Sequence, residues 1–85
     1  MYIYTYRNRK IQRLVTFYTS LRKDVIKKLE RLLSDPRREL DAHPLYGPLA
    51  GQWSCWLGSN LRMTYTIDDN RQLIIVQAIG THKIY

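Results

Sequence analysis

Cysteine, proline, glycine and acidic residues are all sparse in this chain. Cys55 is the one cysteine, against three prolines and four glycines in 85 residues. A single thiol excludes an internal disulfide and suits a reducing cytoplasm. No apolar run nears the roughly 20 residues that a membrane-spanning helix needs, so no membrane partner is expected. Residues 1–6 alternate like a strand and lack the basic-then-apolar layout of a signal peptide. The glycines form no phosphate-cradling loop, and His43, Cys55 and His82 lack the spacing of a zinc motif. No metal and no cofactor is therefore expected. What is left is a small cytoplasmic chain read as one domain over residues 1–85, with room for a single core.

The shortage of acid is uneven. Lys and Arg number 14 against 7 Asp and Glu, a net charge of +7. Residues 1–38 hold eleven basic and three acidic side chains, whereas residues 39–85 hold three and four. The excess therefore lies in the N-terminal half, in Arg7, Arg9, Lys10, Arg13, Arg22, Lys23, Lys27, Lys28, Arg31, Arg37 and Arg38. Any one of these reads as a solvated helix residue. Together they make a field that attracts polyanions, with nucleic acid foremost.

Hydrophobic periodicity orders the chain. Met1 to Arg7 alternates aromatic, β-branched and polar residues, as a strand does. Ile11, Leu14, Val15 and Tyr18 then follow helical spacing behind Asn8, a plausible N-cap. Thr19-Ser20 interrupts the pattern and can cap a second helix with the stripe Leu21, Val25, Leu29, Leu32 and Leu33. Asp35-Pro36 stops it. Residues 37–51 read as a connecting loop. Trp53 to Leu57, Leu61 to Ile67 and Gln72 to Ile79 read as strands, joined by turns at Gly58-Ser59-Asn60 and Asp68-Asp69-Asn70. The expected fold is α+β in the order β-α-α-β-β-β: a four-stranded, mainly antiparallel twisted sheet with a helical hairpin packed on one face. Leu61, Met63, Tyr65 and Ile67 should meet the helices, which leaves Arg62, Thr64 and Thr66 on the helix-free face.

Arg62 is thus a candidate for chemistry, with His82, Lys83 and Tyr85 in the ending Gly80-Thr81-His82-Lys83-Ile84-Tyr85. His43 joins them, held extended by Pro44. Two imidazoles, a guanidinium and a phenol suit metal-free RNA cleavage. A base takes the proton of the 2′-hydroxyl, a cation stabilises the phosphorane-like charge, and an acid protonates the leaving 5′-oxygen. Arginine matches phosphate oxygens with two parallel donors. Trp53, Trp56 and the Tyr2/Tyr4/Tyr6 stripe read as packing, and Cys55 as a small buried hydrophobe.

The element order, His43-Pro44-Leu45-x-Gly47-x-Leu49-x-Gly51-x-Trp53-Ser54, Leu61-Arg62-x-x-Tyr65-x-Ile67 and the ending Gly80 to Tyr85 together resemble the RelE/ParE toxin superfamily. Within it the pattern is most similar to the YoeB and YafQ branch of mRNA interferases. The resemblance implies a type II toxin–antitoxin toxin that cleaves mRNA on the ribosome and is held inactive by an acidic antitoxin. It further implies His43 as general base, Arg62 as the grip on the scissile phosphate, and His82 and Tyr85 as the terminal pair. Here Lys83-Ile84 separates that pair, whereas in the YoeB pattern the two are adjacent. The surface for RNA and ribosome is then Lys83 with Arg9, Lys10, Arg13, Arg22, Lys23, Lys27, Lys28 and Arg31. Two other readings remain: a ParE-like protein that binds and inhibits DNA gyrase, and a non-catalytic RNA- or ribosome-binding module.

Overall fold

The computed structural model describes residues 1–81; residues 82–85 lie outside the described set. In chain order the elements are β1 (Ile3–Tyr6), α1 (Arg9–Leu21), α2 (Lys23–Leu32), β2 (His43–Pro44), β3 (Trp53–Trp56), β4 (Arg62–Asp68) and β5 (Leu73–Gly80). Single 3₁₀ turns at Glu39–Asp41 and Gly47–Leu49 flank β2. The fold is α+β with a helical hairpin on one face of the sheet, as expected.

Asn8 caps α1, its side chain accepting from the Ile11 N–H at 3.0 Å. The helix then runs through Thr19 and Ser20 instead of breaking there. Their hydroxyls bond back to the carbonyls of Thr16 (3.0 Å) and Phe17 (2.8 Å), which satisfies both inside the helix. The break falls on Arg22 alone, extended at φ −137°, which closes α1 and opens α2. Leu21 consequently belongs to the end of α1 and is 64% exposed, outside the second helix's stripe. Val25, Leu29 and Leu32 are that stripe, and they bury against Cys55, Leu57, Leu61, Met63, Tyr65, Ile74 and Val76. Ile11 and Val15 complete the core from α1.

The sheet has five strands in the order β1-β5-β4-β3-β2, parallel between β1 and β5 and antiparallel elsewhere. The expected count was four. The additional strand is the two-residue β2, in which His43 pairs with Ser54 and Pro44 with Trp53. Proline removes a ladder donor, so such a strand survives only at a sheet edge, where β2 lies. A register shift between Thr64 and Tyr65 leaves Gln77 as an extra residue in β5. That bulge lets Val76 and Ile79, three positions apart, both reach the core.

One clamp ties the ends of these elements together. Arg37 donates to both Asp69 carboxylate oxygens (3.1 and 2.9 Å), Tyr2 donates to the same carboxylate at 2.5 Å, and the Arg37 guanidinium lies 5.8 Å from the Trp53 ring. Trp53 packs against the core, and so do Tyr2, Tyr4 and Tyr6.

Candidate functional site

Cross-strand pairing sets the helix-free face. His43 pairs with Ser54, Ser54 with Thr64, and Thr64 with Ala78, so these four form one row across β2, β3, β4 and β5. Trp56, Arg62 and Gly80 form the next row. Directly paired residues project to the same side of a sheet, so His43 and Arg62 share a face. With strands about 4.8 Å apart and about 3.4 Å of rise per residue, their Cα atoms stand on the order of 12 Å apart. An arginine side chain and a sugar–phosphate unit together span such a gap.

Two local contacts orient these residues. The Arg62 guanidinium carbon sits 4.2 Å from the centroid of the Trp56 ring, a cation–π contact that steers the charge. His43 is exposed, with Nδ1 3.2 Å from the Asp41 carbonyl oxygen. A carbonyl can only accept, so in the neutral ring this contact selects the tautomer with the proton on Nδ1 and the lone pair on Nε2. Nε2 is then the atom that can take a proton from a substrate. Cys55 has no such role, since it is fully buried and burial pushes its thiol up to about 12.

The helical cations divide into two sets. Arg9, Lys10, Arg13, Lys23 and Lys27 are exposed, and among the described residues they enter no ion pair. Arg22, Lys28 and Arg31 are engaged. Arg22 and Lys28 both meet Asp24 (3.1 and 3.6 Å) and donate to the Leu57 carbonyl at 3.4 Å, which fastens the β3–β4 turn to α2. Gly58 in that turn has φ +92°, a backbone that favours glycine, and a Cβ there would lie 2.4 Å from the Lys28 Nζ and push it off its place. Arg31 pairs with Glu39 at 2.8 Å.

His82, Lys83 and Tyr85 lie outside the described residues. Trp56, read from the sequence as packing, is instead the residue that carries Arg62. Its role follows from the turn centred on Ser59, which puts Trp56 and Arg62 at equal distance on either side.

The fold is that of the RelE/ParE toxins, within which YoeB- and YafQ-like structures are similar to it. A chain of the YoeB–YefM complex from Staphylococcus aureus superposes with a TM-score of 0.74 at 22% identity, covering 96% of this chain and 98% of that one. The isolated E. coli RelE toxin gives 0.73 at 20% identity, over 100% of this chain and 88% of its own. YafQ from E. coli gives 0.65 at 18% identity, over 96% and 94%. No family model and no curated protein matches the chain by sequence.

Proposed function

We propose that this protein is the toxin of a type II toxin–antitoxin pair and a metal-independent endoribonuclease that cleaves mRNA on the ribosome, in the cytoplasm. The observation that carries this reading is the shared face of His43 and Arg62, with the imidazole's free nitrogen and the stacked guanidinium on the side of the sheet without helices. The His43 Nε2 takes the proton of the substrate's 2′-hydroxyl. The 2′-oxygen forms its bond to the adjacent phosphorus while Arg62 neutralises the charge gathering on the phosphoryl oxygens. The bond from phosphorus to the 5′-oxygen breaks, and an acid from the terminal His82 and Tyr85 protonates that oxygen. A 2′,3′-cyclic phosphate and a 5′-hydroxyl are left. DNA lacks the attacking group and is not a substrate. The free cations Arg9, Lys10, Arg13, Lys23 and Lys27, with Lys83, supply the electrostatic attraction to ribosomal RNA, and the same field draws an acidic antitoxin.

Purified protein, translating ribosomes and a defined mRNA, with and without a chelator, test this. Cleavage that persists in the chelator and leaves cyclic-phosphate ends is the expected result. Cleavage abolished by chelation and restored by a divalent ion would replace this reading with a metal nuclease. Intact mRNA together with inhibited gyrase supercoiling would replace it with the ParE-like reading.

A further inference from the structure

A second concavity adjoins this face. β2 pairs only with Trp53 and Ser54, so the outer edge of β3 beyond Ser54 carries no strand among the described residues. There a cleft of about 370 Å³ opens, lined by Lys28 and Arg31 of α2, by Arg38, Glu39 and Asp41 at the 3₁₀ turn, by Trp56 of β3 and by Gly58. Its volume falls in the range that small-molecule ligands occupy, roughly 300–1,000 Å³. Both orienting contacts of the candidate site start from its walls. The Asp41 carbonyl holds His43, and the Trp56 ring holds Arg62. Arg62 itself does not line the cleft, so Trp56 is a partition between the two spaces.

The lining mixes three cations, Lys28, Arg31 and Arg38, with two carboxylates. Among the described residues Asp41 enters no ion pair, although most of the acidic side chains do. Arg31 engages only one oxygen of Glu39, through Nε at 2.9 Å and Nη2 at 2.8 Å, both to Oε1. Leu40 and Asp41 are held at φ +58° and +56°, a left-handed pair rarely tolerated outside glycine. Free carboxylate oxygens accept only, so they select for a ligand that presents donors. Of the four RNA bases, guanine alone offers two adjacent donors on its Watson–Crick edge, N1–H and the 2-amino group, and its purine ring suits an aromatic wall. Uracil offers one N–H between two carbonyls that repel a carboxylate. Lys28, Arg31 and Arg38 supply the cations for the sugar–phosphate, Lys28 and Arg31 by sharing charge now spent on Asp24 and Glu39.

We infer that this cleft is a guanine-reading subsite for the nucleotide flanking the scissile phosphate, with Asp41 and Glu39 as the reading groups and Trp56 as the stacking wall. The inference rests on the ribonuclease reading for its place beside the cut, and it has a test that does not. Nucleoside 5′-monophosphates contain no bond this chemistry can break, so wild-type protein can be titrated with GMP, AMP, CMP and UMP while the Trp56 indole and Gly58 amide resonances are followed. GMP should bind about tenfold more tightly than UMP, the discrimination expected of one good bidentate contact. Both resonances should shift. Asp41→Asn should abolish the preference, and asparagine tolerates the left-handed backbone at that position. Equal affinities for all four nucleotides, or inorganic phosphate matching GMP at the same resonances, would overturn the subsite. Mapping the cut sites of wild type and Asp41→Asn on a random-sequence mRNA pool separates the two readings. Cleavage without guanine enrichment beside the cut ends the subsite and leaves the nuclease. Selective GMP binding by a protein that cuts no RNA ends the nuclease and leaves the subsite.

Discussion

β4 presents two faces within seven residues. Met63 and Tyr65 are fully buried toward the helices, and the Tyr65 hydroxyl is satisfied by the Pro36 carbonyl at 2.6 Å. On the other face Thr64 is buried as well, Arg62 and Thr66 are half-buried, and Arg62 leans on Trp56. One strand therefore anchors the core with Met63 and Tyr65 and carries a half-buried guanidinium, Arg62, on the opposite face. The separation matters because the two roles ask for opposite environments. Stabilisation needs apolar area removed from water, whereas phosphate recognition needs a charge that water and substrate can reach. Each face should then be breakable without the other.

The largest effects come from breaking each face at its centre. Arg62→Ala should lower RNA cleavage about 10²–10³-fold, the usual cost of removing a preorganised donor to a charged transition state. Its thermal midpoint should match wild type. Arg62→Lys should recover only part of the rate, since a point charge replaces a two-pronged donor. Leu32→Ala should do the reverse. Leu32 is 0% exposed in the contact of α2 with the sheet. Its truncation should cost about 2–5 kcal/mol in denaturant titration, and cleavage per folded molecule should hold. A folded Arg62→Ala protein that cleaves like wild type would remove Arg62 from the site.

Next in size is the polar contact within the core. Tyr65→Phe keeps the ring and deletes the hydroxyl, which leaves the Pro36 carbonyl without its donor and should cost about 1–3 kcal/mol. Equal stability of the two proteins would mean that water replaces the lost bond.

What could be read from the sequence follows the same division. The parity of Leu61, Met63, Tyr65 and Ile67 was visible because a strand with one buried face alternates in composition, and Arg62 fell on the open face by that count alone. The stripe Val25, Leu29 and Leu32 was visible for the equivalent helical reason. Three features were not. β2 is two residues long and half proline, too short for any period. The α1–α2 break moved from Thr19-Ser20 to Arg22 because hydroxyls that cap a helix can equally bond back inside one. Trp56 carries no mark of its role in its own neighbourhood, since the role is set by pairing across the Gly58–Asn60 turn.

Trp56→Leu sharpens the comparison on the open face. It keeps an apolar side chain at the strand end and removes the ring that steers Arg62. A cation–π contact is worth about 0.5–1 kcal/mol at a partly exposed site, so cleavage should fall several-fold, mainly in kcat. Trp56→Tyr should restore much of it, because a second aromatic face is again offered. A rate unchanged in Trp56→Leu would mean that Arg62 finds its position without the ring.

The smallest effect lies at the edge of the helix-side assembly. The Arg37 guanidinium, and after it the Tyr2 hydroxyl, hold the Asp69 carboxyl below the usual carboxylate range. A depressed folded pKa gives stability that is fully present above the unfolded value of about 4 and is lost as pH falls through the lower folded value. Asp69→Asn should therefore change little at neutral pH, where exposed pairs contribute weakly. Its difference from wild type should vanish below the folded value, so the acid limb of its stability profile should be shallower. Salt should shrink the difference at neutral pH, since this pair is open to solvent. Chemical denaturation at stepped pH reads this directly, and a wild-type acid limb in the Asp69→Asn protein would show that the clamp holds Tyr2 and Arg37 in place without storing stability in the carboxylate's charge.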